Sequence, residues 1–139
     1  MAVRNSLKNY IIKPFELKKK LNLSNIKVFD CRWYLGKPKK GECEFKKSHL
    51  EGAYYFDIES ISNRSSNLPH MFPSNQQFTM YARGCGVSKN DSIIIYDQNG
   101  FFCSSRVWLM FLYFGFKNVK ILDGGFREWR KHKLPLTKK

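Results

Sequence analysis

Acidic side chains are scarce in this chain. Eleven Asp and Glu stand against 25 Lys and Arg, a formal net charge of +14 over 139 residues. Such a balance raises the prospect of a nucleic-acid partner. The basic runs, such as Lys18-Lys19-Lys20 and Lys37-Pro38-Lys39-Lys40, are scattered and no nucleic-acid motif accompanies them. They are therefore read as solvated faces, and no nucleic-acid partner is expected. Cysteine is also sparse: four residues, at 31, 43, 85 and 103, with no C-x-x-C spacing. That excludes the common zinc and dithiol motifs. With 42% hydrophobic residues available for a core, a disulfide scaffold is not needed either. Free thiols in a reducing compartment are expected, by default the cytoplasm. Long apolar runs are missing too. The longest, Val107 to Phe116, reaches about half of a bilayer span, so no membrane helix is expected. Met1 to Asn5 contains no apolar stretch of the secretory type. No internal repeat or low-complexity linker is present, and the length fits one domain with one core.

What remains reads as alternating strands and helices. Asn9 to Leu23 is a lead-in and a short basic helix with Pro14 in its first turn. Ile26 to Cys31 is a strand, Tyr34 to Glu42 a loop, Glu44 to Leu50 a short helix and Ala53 to Phe56 a second strand. Asp57 to Pro73 is long, polar and without periodicity, and a loop of that length in a small domain is usually functional. A helix over Gln76–Gly84 is capped by Ser74. Ser92 to Tyr96 holds three consecutive isoleucines, the mark of a strand buried on both faces in a parallel sheet. A helix follows over Phe102–Phe114, then a strand over Val119–Leu122 and a last helix through Trp129. The pattern predicts an α/β fold. Val107 to Phe116 is apolar all round, which predicts a helix buried on every side, either as a central core helix or against a missing partner.

In parallel α/β folds ligands gather beyond the carboxyl ends of the strands. The loop Asp97-Gln98-Asn99-Gly100, after the isoleucine strand, is the default site. Its backbone amides and the following helix would form an anion cradle and favour a thiolate. No cysteine stands there. Cys103, six positions on, is the challenger, with packing among Phe101, Phe102 and Trp108 as the alternative reading. Cys31 and Cys85 read as structural or surface thiols. His49, in His49-Leu50-Glu51-Gly52-Ala53, reads as a ring bonded to a loop, and Asp123-Gly124-Gly125 as a structural turn.

These motifs, together with Asp30-Cys31-Arg32-Trp33-Tyr34-Leu35, the Tyr55–Pro73 segment and Gly100 to Met110, resemble the rhodanese family. The resemblance runs over about residues 9–135. It is specific to the N-terminal, non-catalytic domain of tandem-domain 3-mercaptopyruvate and thiosulfate sulfurtransferases. It implies a rhodanese-like fold, with a central, mainly parallel sheet flanked by helices. The nucleophilic cysteine of the family falls at Asp97, or at Gln98 if the loop is one residue shorter, and neither can carry a persulfide. The phosphatase relatives of this fold need a cysteine six residues before an arginine, and Gly100 stands six before Arg106. By motif match His70 is the residue expected to reach a substrate cleft. Glu59, where the family often has Asp, would orient it. Arg64 and Arg106 would hold the loop and the helix start. No metal or organic cofactor is implied. The expected partners are a small anionic sulfur donor, drawn by the basic charge, and a second, cysteine-bearing rhodanese domain absent from this chain. The competing expectation is a stand-alone inactive module that binds another protein.

Overall fold

A computed structural model describes residues 8–139; the N-terminal stretch Met1 to Asn5 lies outside the described residues. Five parallel strands form the central sheet: β1 (Ile11–Ile12), β2 (Ile26–Asp30), β4 (Tyr54–Tyr55), β5 (Ser92–Tyr96) and β6 (Val119–Leu122), in the spatial order β1-β6-β5-β2-β4. A short antiparallel pair, β3 (His49–Leu50) with β7 (Leu136–Thr137), closes one end of the chain against its middle. Among the described residues there are five helices: α1 (Pro14–Lys20), α2 (Lys40–Lys47), α3 (Asn75–Gly84), α4 (Ser104–Tyr113) and α5 (Gly125–Lys131).

β5 shows why the isoleucine run is informative. Successive side chains of a strand point to opposite faces. Ile93 and Ile95 enter one core with Phe29, Phe56, Phe78, Val107, Met110 and Phe111. Ile94 and Tyr96 enter the other with Ile12, Leu17, Leu50, Leu122 and Trp129. Helices α3 and α4 therefore cover one face and α1 and α5 the other. Full burial on both faces fixes the register with β2, from Ile26 opposite Ser92 to Asp30 opposite Tyr96. Ser74 caps α3 as its position predicts, accepting a bond from the Gln77 amide at 3.1 Å.

Several expectations are corrected. Ile11–Ile12 is a strand rather than a lead-in, because its amides and carbonyls complete the sheet edge beside β6. Helix α2 starts at Lys40, inside the expected loop, and ends at Lys47. His49–Leu50 leave it to pair with β7, a long-range contact that local periodicity does not carry. Helix α4 is not buried on every side. Its stripe of Leu109 and Tyr113 faces outward, with Tyr113 70% exposed, so one apolar face of the helix meets solvent. No helix among the described residues is long and apolar enough to cross a membrane.

Candidate functional site

Strands β2 and β5 end side by side, and their last residues seed the site. Asp30 is buried and receives both the Arg32 guanidinium, at 2.7 Å from Nη2, and the Tyr96 hydroxyl at 2.6 Å. Arg32 also donates to the Ser48 carbonyl and lies 4.0 Å from the centre of the Phe126 ring. Burial pushes the Asp30 carboxyl up, and the bonds from Arg32 and Tyr96 only partly offset it. This network locks the chain as it leaves β2, so that Trp33 emerges in one orientation.

The 97–100 loop is built around Asp97. Its carboxylate is fully buried and accepts four backbone amides: Asn99 at 2.9 Å and Gly100 through Oδ1, Cys103 at 2.8 Å and Ser104 at 3.0 Å through Oδ2. The anion cradle expected from the sequence is thus present, and the chain's own carboxylate fills it. Of the two candidate positions for the family cysteine, Asp97 occupies the cradle. Gln98 turns away, its side-chain amide donating to the Trp33 carbonyl at 2.6 Å. The glycine turn reinforces the loop: the Phe126 amide donates to the Asp97 carbonyl at 2.8 Å and the Arg127 amide to the Gln98 carbonyl at 3.1 Å. Gly125 has φ +60°, and a Cβ there would stand 2.5 Å from the Asp97 carbonyl oxygen. Only glycine combines that backbone conformation with that approach.

His70 and Glu59 are brought together. His70 Nε2 lies 2.9 Å from Glu59 Oε1, and the Trp33 indole donates to the same oxygen at 2.7 Å. Burial alone would raise the Glu59 carboxyl, but the bonds and charge from His70 and Trp33 outweigh it and hold the group below its ordinary value. The Trp33 ring meets His70 edge-on at 4.9 Å and stacks on Phe102 at 6.2 Å. His70 has φ +55°, a conformation few non-glycine residues adopt and one that concentrates at functional positions. The loop is closed behind it by a bond from the Asn63 amide to the Met71 carbonyl at 2.8 Å. Around the cluster, Leu68, Met71, Phe101 and Phe102 are exposed. Trp33 is the residue that sequence reasoning passed over. Its signal was an aromatic three positions beyond a buried strand-end aspartate, on the side of the sheet where ligands gather.

The remaining candidates fall elsewhere. Cys103 is buried and its thiol bonds the Cys31 carbonyl at 2.9 Å. Of the three rings expected around it, Trp108 packs against the core that holds Cys103, whereas Phe101 and Phe102 are exposed, and Phe29, Cys31 and Val107 share that core instead. Cys31 is also buried, and burial, with the Cys103 thiol beside it, pushes its own thiol up. His49 is buried, bonds the Phe45 carbonyl at 2.7 Å and stacks on the Phe45 ring. Arg106 lies 5.3 Å from the Phe72 ring, linking the helix start to the end of the long loop, whereas Arg64 stays exposed.

A parallel α/β sheet whose strand-to-helix anion loop follows the buried strand, with the His-Leu-Glu-Gly-Ala and Asp-Gly-Gly turns on either side, defines a rhodanese-type domain. The family model of the rhodanese-like domain matches residues 13–132, and the chain belongs to that family. It is 42% identical over 117 residues to the 3-mercaptopyruvate sulfurtransferase of Rattus norvegicus, covering 81% of this chain and 39% of that protein. It is 39% identical over 108 residues to thiosulfate/3-mercaptopyruvate sulfurtransferase 2 of Arabidopsis thaliana, covering 77% of this chain and 32% of the relative. Among solved structures, SseA of Escherichia coli, described with the rhodanese fold of 3-mercaptopyruvate sulfotransferases, superposes with a TM-score of 0.88 at 31% identity. That match covers 94% of this chain and 51% of the other. The chain thus spans about a third to two-fifths of the curated relatives it matches. The part matched is the N-terminal domain of tandem-domain sulfurtransferases.

Proposed function

We propose that this domain serves sulfane sulfur transfer as the non-catalytic half of a 3-mercaptopyruvate or thiosulfate sulfurtransferase. The nucleophilic cysteine would be supplied by a second rhodanese domain. The observation that carries the reading is the contrast between two neighbouring features. The Asp97 carboxylate saturates the amide cradle, which leaves the loop no capacity to hold a sulfur nucleophile or an anionic donor. The His70–Glu59–Trp33 cluster, by contrast, is assembled at the rim, partly exposed and framed by apolar side chains that a partner domain would cover. Relatives of the same length ratio are two-domain sulfurtransferases, which supports a paired arrangement. The four free cysteines favour a reducing compartment, the cytoplasm by default.

In this scheme the partner's thiolate attacks the sulfur of mercaptopyruvate. The carbon–sulfur bond breaks and leaves a persulfide on the partner and an enolate of pyruvate. The enolate needs one proton, which His70 would give, with Glu59 fixing the ring. The persulfide sulfur then passes to a thiol or to cyanide. The domain's basic surface helps gather the anionic donor.

The test mixes this chain with a separately produced cysteine-bearing rhodanese domain, with mercaptopyruvate and thiosulfate as donors. Alone, this chain should neither turn over nor gain the mass of one sulfur. Together the two should transfer sulfur, and His70→Ala should slow the reaction by about a hundredfold or more. Turnover by the isolated chain would overturn the reading. Absence of rescue would favour a stand-alone interaction module.

A further inference from the structure

A cleft of about 600 Å³ opens where α5 passes the end of α2 and the 98–99 loop. Neither Trp33 nor His70 lines it. Five cations do: Arg32, Lys47 at the end of α2, and Arg127, Arg130 and Lys131 on α5. Among the described residues, Lys47, Arg127 and Arg130 have no carboxylate within ion-pair distance, and Lys131 only shares Glu128 at 3.8 Å. The one carboxylate on the cleft wall is Glu44. It is committed elsewhere, accepting the Tyr34 hydroxyl at 2.6 Å and standing 3.8 Å from Lys40 and 3.9 Å from Arg32. The charge of Arg32 is in turn spent on Asp30.

Uncompensated cations sharing one concave wall repel each other and focus positive potential into it. An anion relieves both effects. The volume lies within the range of small-ligand sites, roughly 300–1,000 Å³, and is generous for a lone phosphate or sulfate. Three free cations ask for a ligand with more than one negative group. Two of them are arginines, whose planar forks match phosphate oxygens in pairs. We propose that this cleft binds a diphosphate-class anion through Lys47, Arg127 and Arg130, separately from the His70 cluster. The proposal does not depend on the sulfur-transfer reading.

The test is titration calorimetry of the full chain with inorganic pyrophosphate at about 0.15 M salt, where diffuse surface attraction is screened beyond roughly 8 Å. The double variant Arg127→Ala/Arg130→Ala should weaken binding by about tenfold or more, since each removes a charge-assisted hydrogen bond. Both side chains are exposed, so the fold should survive, and circular dichroism checks that it does. The control, Lys18→Ala/Lys19→Ala on α1, removes the same charge outside the cleft and should change affinity less than about twofold. Orthophosphate should bind markedly more weakly than pyrophosphate. An ADP arm reports the source: affinity equal to or above that of pyrophosphate marks a nucleoside diphosphate, and weaker binding marks the inorganic ion. The proposal fails if pyrophosphate does not bind at that salt, if both double variants weaken it equally, or if orthophosphate binds as tightly.

Discussion

Asp97→Asn tests whether the carboxylate organises the loop after β5. The change is nearly isosteric and removes one acceptor oxygen, replacing it with an NH2 group. Whichever way the amide turns, two backbone N–H groups face a donor: those of Asn99 and Gly100, or those of Cys103 and Ser104. The site is fully buried. Each orphaned donor costs about 1–3 kcal/mol, so the two together cost about 2–6 kcal/mol, less whatever a water molecule restores. For a domain of this size that corresponds to a fall in melting temperature of roughly 10–20 °C. Urea unfolding followed by tryptophan fluorescence should show a lower midpoint with an unchanged slope. Asp123→Asn removes the same charge from an exposed position and should stay within about 0.5 kcal/mol of the parent. A loss below about 1 kcal/mol at position 97 would mean that the amides have other partners and that the cradle is not closed by this carboxylate.

Three further outcomes are expected. Glu59 is held below its ordinary value of 4.5, so its contribution to the loop is present above that value and disappears as pH falls through the lower folded one. Histidine NMR should show His70 losing its partner in that acid range, and Glu59→Gln should abolish the transition while changing global stability by less than about 1 kcal/mol. At the β2 end, Asp30→Asn leaves the buried Arg32 without its counter-charge and should cost about 3–5 kcal/mol in urea unfolding. Asp30→Leu/Arg32→Met should cost clearly less than the sum of its single changes; full additivity would show that the pair does not interact. Alkylation followed by peptide mapping should mark exposed Cys43 first, then Cys85, and reach the buried Cys31 and Cys103 only through opening of the core. Rapid labelling of Cys103 would reopen the case for it as a nucleophile.

The elements legible in the sequence are those whose signal is local and repeated. Ile93 to Ile95 announce a doubly buried strand because burial on both faces leaves no polar position. Ser74 announces a helix start because a hydroxyl before an amphipathic run has one dominant use. Ile11–Ile12 and Leu136–Thr137 escaped because each is a two-residue strand that exists through its partner, β6 or β3, and carries no periodicity of its own. Helix α4 misled for another reason. Hydrophobicity reports the capacity for burial, and Leu109 and Tyr113 have the capacity yet stay more than half exposed.

The site divides along the same line. A loop after a buried parallel strand, followed by Asn-Gly and a helix start, has amides to offer, and the anion cradle was legible for that reason; the structure adds that the Asp97 carboxylate fills it. The pairing of His70 with Glu59 came from motif resemblance, and elementary chemistry could not have supplied it, since ten residues of irregular loop separate them. What joins them is Trp33, delivered from β2 through the Asp30–Arg32 lock and held by Gln98. The closed cradle and the open rim are thus mechanically one object. Gln98 leaves the Asp97 loop and grips the Trp33 backbone, whose indole holds Glu59, which holds His70. On the proposed function, the loop that Asp97 closes also serves as the platform that positions His70, through Gln98, Trp33 and Glu59. Loosening it by Asp97→Asn should therefore disturb His70 as well as the loop itself.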